Sequence, residues 1–182
     1  MKAKQTPTTQ AKSPVTRVST SKQQSAAGQA GSAPLRILVP VDFSKPAACA
    51  LQAAGEFARR YGGGITLITV IETDPLKRLE MNLLTVRNET LERRLKTDLQ
   101  KLGAELVGAE RIEATLVRSG KPFAEIVKAA RKRQVDLIIM ATHGHTGLKH
   151  LLLGSTAERV IRHAPCAVLT VRGEGKRGWP MG

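Results

Sequence analysis

Two rhythms of apolar residues alternate along the chain. Short continuous runs at 35–41 (LRILVPV), 65–71 (ITLITVI), 135–140 (VDLIIM) and 166–171 (CAVLTV) are rich in β-branched residues, as strands buried on both faces are. The segment 111–117 (RIEATLV) alternates as a further strand. Between them the spacing changes to that of helices. Ser44 is placed to cap a helix whose first turn accepts Pro46 and whose one face carries Ala47, Ala50, Leu51, Ala54, Phe57 and Tyr61, with the glycines 62–64 stopping it. Leu91, Leu95, Leu99, Leu102 and Leu106 recur at helical spacing within a predicted helix 82–108. Pro122 opens another, burying Phe123, Ile126, Val127 and Ala130, and Ser155 with Glu158 reads as a capping box opening a helix 155–163.

Five strands joined by four crossovers predict an α/β fold, a doubly wound parallel sheet with helices on both faces. Sheets of this kind bind ligands beyond the carboxyl ends of their strands, where the winding reverses. That rule directs attention to Asp42, to residues 70–72, and to the chain from Ala141 onward.

Composition narrows the picture. Aromatic residues make up only 3% of the 182, too few for a base-stacking surface. Cys49 and Cys166 are far apart in apolar surroundings, which favours core packing over a disulfide framework and predicts a reducing, cytoplasmic setting. No apolar run approaches the length of a membrane span, and none after Met1 looks like a secretory leader, so no membrane association is expected. The formal net charge is +14, and the first 34 residues hold five of the 29 cations and none of the 15 acids. Lacking large apolar residues, the segment 1–34 is expected to be a disordered basic tail with weak, non-specific affinity for nucleic acid. Residues 35–172 form the expected domain, and 173–182 a short second tail.

The chemistry concentrates after the fourth strand, where the chain reads ATHGHTGLKHLLLGST from Ala141 to Thr156 and returns to a helix start. Backbone N–H groups of Gly154, Ser155 and Thr156, with the helix dipole and two hydroxyls, would attract a phosphate, and Gly144 and Gly147 would let backbone approach a ligand closely. Equally, these residues could do no more than shape turns. No Walker triplet and no G-x-G-x-x-G motif occurs. Scattered His143, His145 and His150 read as loop histidines, with no metal site expected, and the run Arg131, Lys132, Arg133 reads as a solvated helix end.

Taken together, VPVDFS at 39–44, GKP at 120–122, the glycine loop and APCAVLTV at 164–171 resemble the universal stress protein family over nearly all of 35–172. The resemblance implies an adenine-nucleotide α-hydrolase-like sheet in the order 3-2-1-4-5 and a homodimer joined through the last strand. It also implies ATP as the ligand and leaves open whether Mg accompanies it. Pro40, Val41, Asp42 and Val70 would meet adenine, while Ala141, Thr142, Gly144, Gly147, Gly154, Ser155 and Thr156 would surround ribose and phosphates. The family signature is Gly, two residues, Gly, nine residues, Gly, then Ser or Thr. Here Gly144, Gly154 and Ser155 fit, but Ala141 replaces the first glycine, adding a methyl and restricting φ. No base or metal carboxylate is assignable near Lys149, so the expectation is a nucleotide-sensing module acting on protein partners of unknown identity, not an enzyme. The competing expectation is a nucleotide-free dimeric interaction protein.

Overall fold

The computed structural model describes residues 33–73, 85–143 and 153–173. In order they form β1 (Leu35–Pro40), α1 (Lys45–Tyr61), β2 (Gly63–Glu72), α2 (Thr85–Val107), a 3-10 turn (Ala109–Arg111), β3 (Ile112–Gly120), α3 (Pro122–Arg133), β4 (Leu137–Ala141), α4 (Ser155–His163) and β5 (Ala167–Val171). The strands make one five-stranded sheet in the order β3-β2-β1-β4-β5, every pair parallel. This is the doubly wound arrangement expected, with β1 central and the winding reversing between β1 and β4.

Alternation along the strands builds two cores. Ile37, Val39, Ile65, Leu67 and Ile139 point to one face, where α1 contributes Ala50, Leu51 and Ala54 and α2 contributes Leu99 and Val107. Leu38, Ile68, Ile138 and Met140 point to the other, covered by Ile126 and Ala130 of α3 and by Val160 of α4. On that second face Phe123 of α3 stacks beside His163 and under the guanidinium of Arg159, 5.2 Å from the ring centre, which ties α3 to α4.

Several boundaries move for identifiable reasons. Only Gly62 ends α1, with φ of 66°. Gly63 and Gly64 instead begin β2, paired with Leu35 and Arg36, and a Cβ on Gly63 would collide with the Leu35 carbonyl oxygen. In α2 the buried line is Leu99, Gly103 and Val107, whereas Leu95, Leu102 and Leu106 are half-buried and Leu91 is exposed. A leucine count could not locate that line because its middle member is a glycine.

The capping box is also displaced. Gly154 is the residue flanking α4, with extended backbone, and Ser155 is already helical. Glu158 therefore reaches forward to Arg162 at 2.8 Å instead of back to the helix start. Nor is the end of α3 simply solvated, because Arg133 turns its Nε onto the hydroxyl of Thr66 in β2 at 3.2 Å. Asp136, just before β4, accepts from the Arg36 backbone N–H at 2.9 Å and from its guanidinium. The guanidinium and then the N–H hold the Asp136 carboxyl below its ordinary pKa, and the same pair raises that of Arg36.

Candidate functional site

At the carboxyl ends of β1, β2 and β4 lies a cleft of about 320 Å³. Pro40, Val41, Asp42, Val70, Ala141, Thr142, Gly154, Ser155 and Thr156 all line it. Gly144 and Gly147, with His145, Lys149 and His150, lie outside the described residues. The cleft follows from strand lengths. Pairing of β1 with β2 ends at Pro40↔Ile68, after which only the Val41 N–H reaches the Ile68 carbonyl at 2.8 Å, while β2 continues beside β3 to Glu72. Main-chain groups in a strand alternate direction, so those of Val70 face the same way as those of Ile68, toward space that β1 has left. Among the described residues, the donor and acceptor of Val70 on that side have no backbone partner, and they border the cleft.

Asp42 stands where β1 ends. Its Oδ1 accepts from the backbone N–H of Ser44 at 3.1 Å and from the Ser44 hydroxyl at 2.5 Å. Ser44 Oγ in turn accepts from the Ala47 N–H at 3.3 Å, the cap that the sequence predicts for α1. Between them Phe43 is held at φ 61°, a left-handed conformation that costs a bulky residue about 1 kcal/mol or more. The turn thus fixes the carboxylate at the cleft while keeping the helix capped.

The opposite wall is the start of α4. The Gly154 N–H donates to the Thr142 carbonyl at 2.7 Å, so of the three N–H groups the sequence singles out for a phosphate this one already has an acceptor. The helix-start donors are the N–H groups of Ser155, Thr156 and Ala157, which have no acceptor among the described residues. Gly154 matters for another reason: a Cβ there would stand 3.1 Å from the Thr142 oxygen. Thr142 itself is buried, donates its N–H to Val171 of β5 at 3.0 Å, and shares its hydroxyl with His143 Nδ1 at 3.0 Å. Ala141 sits in β4 with ordinary φ, since Phe43 and Gln134 are the non-glycine residues of positive φ among those described. The restriction on φ anticipated for alanine has no force in this backbone, and only its methyl remains to be considered.

Glu72 at the end of β2 and His143, both within the stretches that the switch-point rule singles out, also line the cleft. Sequence reasoning missed the floor, Pro122 and Ile126 from the start of α3. The GKP stretch was the available signal for Pro122, but nothing local marks Ile126 as anything other than core. No lysine or arginine is among the described lining residues. The cysteines are remote from this chemistry. Burial, with a smaller contribution from Asp136, pushes the Cys166 thiol up, and Cys49 points its thiol at the Gly173 carbonyl at 3.8 Å.

Comparison with known proteins agrees with this architecture. Residues 35–172 match the Universal stress protein family. The chain is 32% identical over 145 residues to Universal stress protein MJ0531 of Methanocaldococcus jannaschii, covering 75% of this chain and 81% of that one. It is 32% identical over 152 residues to MJ0577 of the same organism, covering 75% and 94%. The solved structure of MJ0577 superimposes with a TM-score of 0.66 over 78% of this chain and 98% of that one. A universal stress protein solved in complex with cAMP shares the fold at 24% identity, with a TM-score of 0.52 over 79% of this chain and 100% of that one.

Proposed function

We propose, from the premise that this chain belongs to the universal stress protein family, that it binds an adenine nucleotide, ATP in particular, and relays that occupancy to a protein partner. The observation that carries the reading is the convergence in one cleft of the bare main-chain edge at Val70, the Asp42 carboxylate and the N–H groups that open α4. An adenine edge offers one amino donor and ring acceptors, which suits Asp42 together with the donor and acceptor of Val70. The phosphates then fall toward Ser155 and Thr156, where helix-start N–H groups and hydroxyls favour negative charge. The universal stress protein solved with cAMP carries an adenine nucleotide on this fold.

Binding, not turnover, is the activity proposed. Phosphoryl transfer requires a positioned acceptor and groups that gather charge in the transition state, and the described lining supplies two carboxylates, Asp42 and Glu72, with no lysine or arginine. The test is mass spectrometry of ligand released by denaturing freshly purified protein, followed by calorimetric titration with ATP. Recovery of adenine nucleotide, or micromolar ATP affinity in emptied protein, is expected. Neither being found would replace this reading with a nucleotide-free interaction protein.

The proposal includes a homodimer formed through β5. The two sheet edges differ: β3 carries Glu113 and Arg118, whereas β5, Ala-Val-Leu-Thr-Val, has no charge and is only partly buried. Charged side chains protect an edge from further pairing, and an uncharged apolar edge invites it. A mass of one chain by light scattering at micromolar concentration would overturn this part.

A further inference from the structure

A second cavity lies on the same face of the sheet as the cleft and shares none of its lining residues. It is a groove of about 630 Å³ that runs along α3 from Glu125 in its first turn to Arg133 in its last, against strands β2 and β3. Its walls carry Arg36, Arg118, Lys128, Lys132 and Arg133 against two carboxylates, Glu113 and Glu125. Arg36 is committed to Asp136, and Lys128 lies 3.8 Å from Glu125. Glu113 offsets part of what remains, contributing to the field that Arg36 feels. Arg118 of β3, Lys132 and Arg133 have no acidic partner within salt-bridge distance among the described residues.

Helix-end preference explains part of this arrangement. Lys132 and Arg133 occupy the last turn of α3, where cations are favoured by the dipole. It does not explain Arg118, which comes from a strand and has its guanidinium only on the neighbouring Val117 carbonyl at 2.8 Å. Nor does it explain Arg133, which is held to the Thr66 hydroxyl while Thr66 is 3% exposed. Two independent elements thus bring like charges into one hollow, where Glu113 and Glu125 offset only part of the repulsion and a bound anion would offset more.

We propose that this groove is a second anion site that takes a compact chain of phosphoryl groups, a polyphosphate without bases. Guanidinium forks and an ammonium from two walls suit phosphate oxygens. The floor is aliphatic, Leu116, Ala129 and Val135, with no aromatic ring on which a base could stack, which disfavours single-stranded nucleic acid as the occupant. The site is separate from the nucleotide cleft and stands whether or not that cleft binds ATP.

The probe is sodium tripolyphosphate, titrated calorimetrically into the full chain at low salt with the cleft saturated by ATP and again without ATP. One tripolyphosphate per chain is expected under both conditions, with affinity at least tenfold weaker in Arg118→Gln/Lys132→Gln. The double variant Lys96→Gln/Lys101→Gln removes two exposed cations from α2 and should bind as the wild type does. Equal losses in both variants would reduce the effect to net charge and overturn the site. Undiminished binding in the groove variant, or no binding in the wild type, would overturn it as well. Should the double variant melt early, Lys132→Glu alone carries the same expectation. A single-stranded oligonucleotide that displaces tripolyphosphate at equal phosphate concentration, and loses its own binding in the groove variant, would overturn the choice of occupant.

Discussion

The two hollows beside α3 treat negative charge in opposite ways. Among the described residues the cleft at the carboxyl ends of the strands presents Asp42 and Glu72 with no lysine or arginine, yet it contains a helix start and a bare strand edge. The groove between α3 and β3 presents five cations and two carboxylates from side chains and, among the described residues, no free helix start. Backbone donors cannot move away and need no counter-charge, so they suit a ligand recognised by shape; long cations suit one recognised mainly by charge. Net charge, read as a single bulk quantity, would have assigned phosphate affinity to the second region and missed the first.

Substitutions in one hollow should leave the other untouched. The largest effect is expected from Gly154→Val, because its Cβ would press on the Thr142 oxygen at 3.1 Å and its added methyls would press further. A stability loss of about 1–3 kcal/mol in chemical denaturation and a more than tenfold loss of ATP affinity are expected, with tripolyphosphate binding kept in the folded protein. Asp42→Ala comes next. It removes the acceptor that orients the capping Ser44, costing about 1 kcal/mol, and should weaken ATP about tenfold by calorimetry. Unaltered ATP affinity in both variants would separate the cleft from the nucleotide.

Ala141→Gly sharpens the comparison within the cleft. Since Ala141 already has ordinary strand geometry, any tightening of ATP must come from removing its methyl, at a stability loss of about 0.5–1 kcal/mol for glycine in a strand. A several-fold gain in affinity is expected, and an unchanged value would remove Ala141 from consideration. Asp136→Asn should have the smallest effect, confined to the groove side. The folded Asp136 releases its proton more readily than in the unfolded chain, so its pairing with Arg36 stabilises the fold at neutral pH. That contribution fades as pH falls through the ordinary carboxylate range and below the lowered value. Melting curves of variant and wild type should differ slightly at pH 7 and converge under acid; a gap that persists at low pH would assign the effect to packing.

Both exposed partners limit that last effect, and they also show what was hard to read. The role of Asp136 is invisible to local sequence because its partner is a hundred positions away, on the strand that β4 joins. The opening of α4 looked like a Ser-x-x-Glu box because the pattern is satisfied equally well when the real flanking residue is one position earlier; the extended backbone of Gly154, whose carbonyl accepts the Glu158 N–H at 3.0 Å, decides between them.

The sequence by itself determined the architecture. Apolar runs of strand length buried on both faces, separated by helical stripes, admit little besides a doubly wound parallel sheet, and local chemistry at Ser44 and Pro46 located the start of α1. Tertiary structure alone decided how far β2 outruns β1 and therefore that Val70 presents bare backbone to the cleft. It alone decided that α3 brings Ile126 to one hollow and Lys132 to another. The physical reason is range: periodicity and caps are set within a turn or two, whereas strand overhang and the meeting of charges from separate elements depend on register across the sheet, which no local pattern encodes.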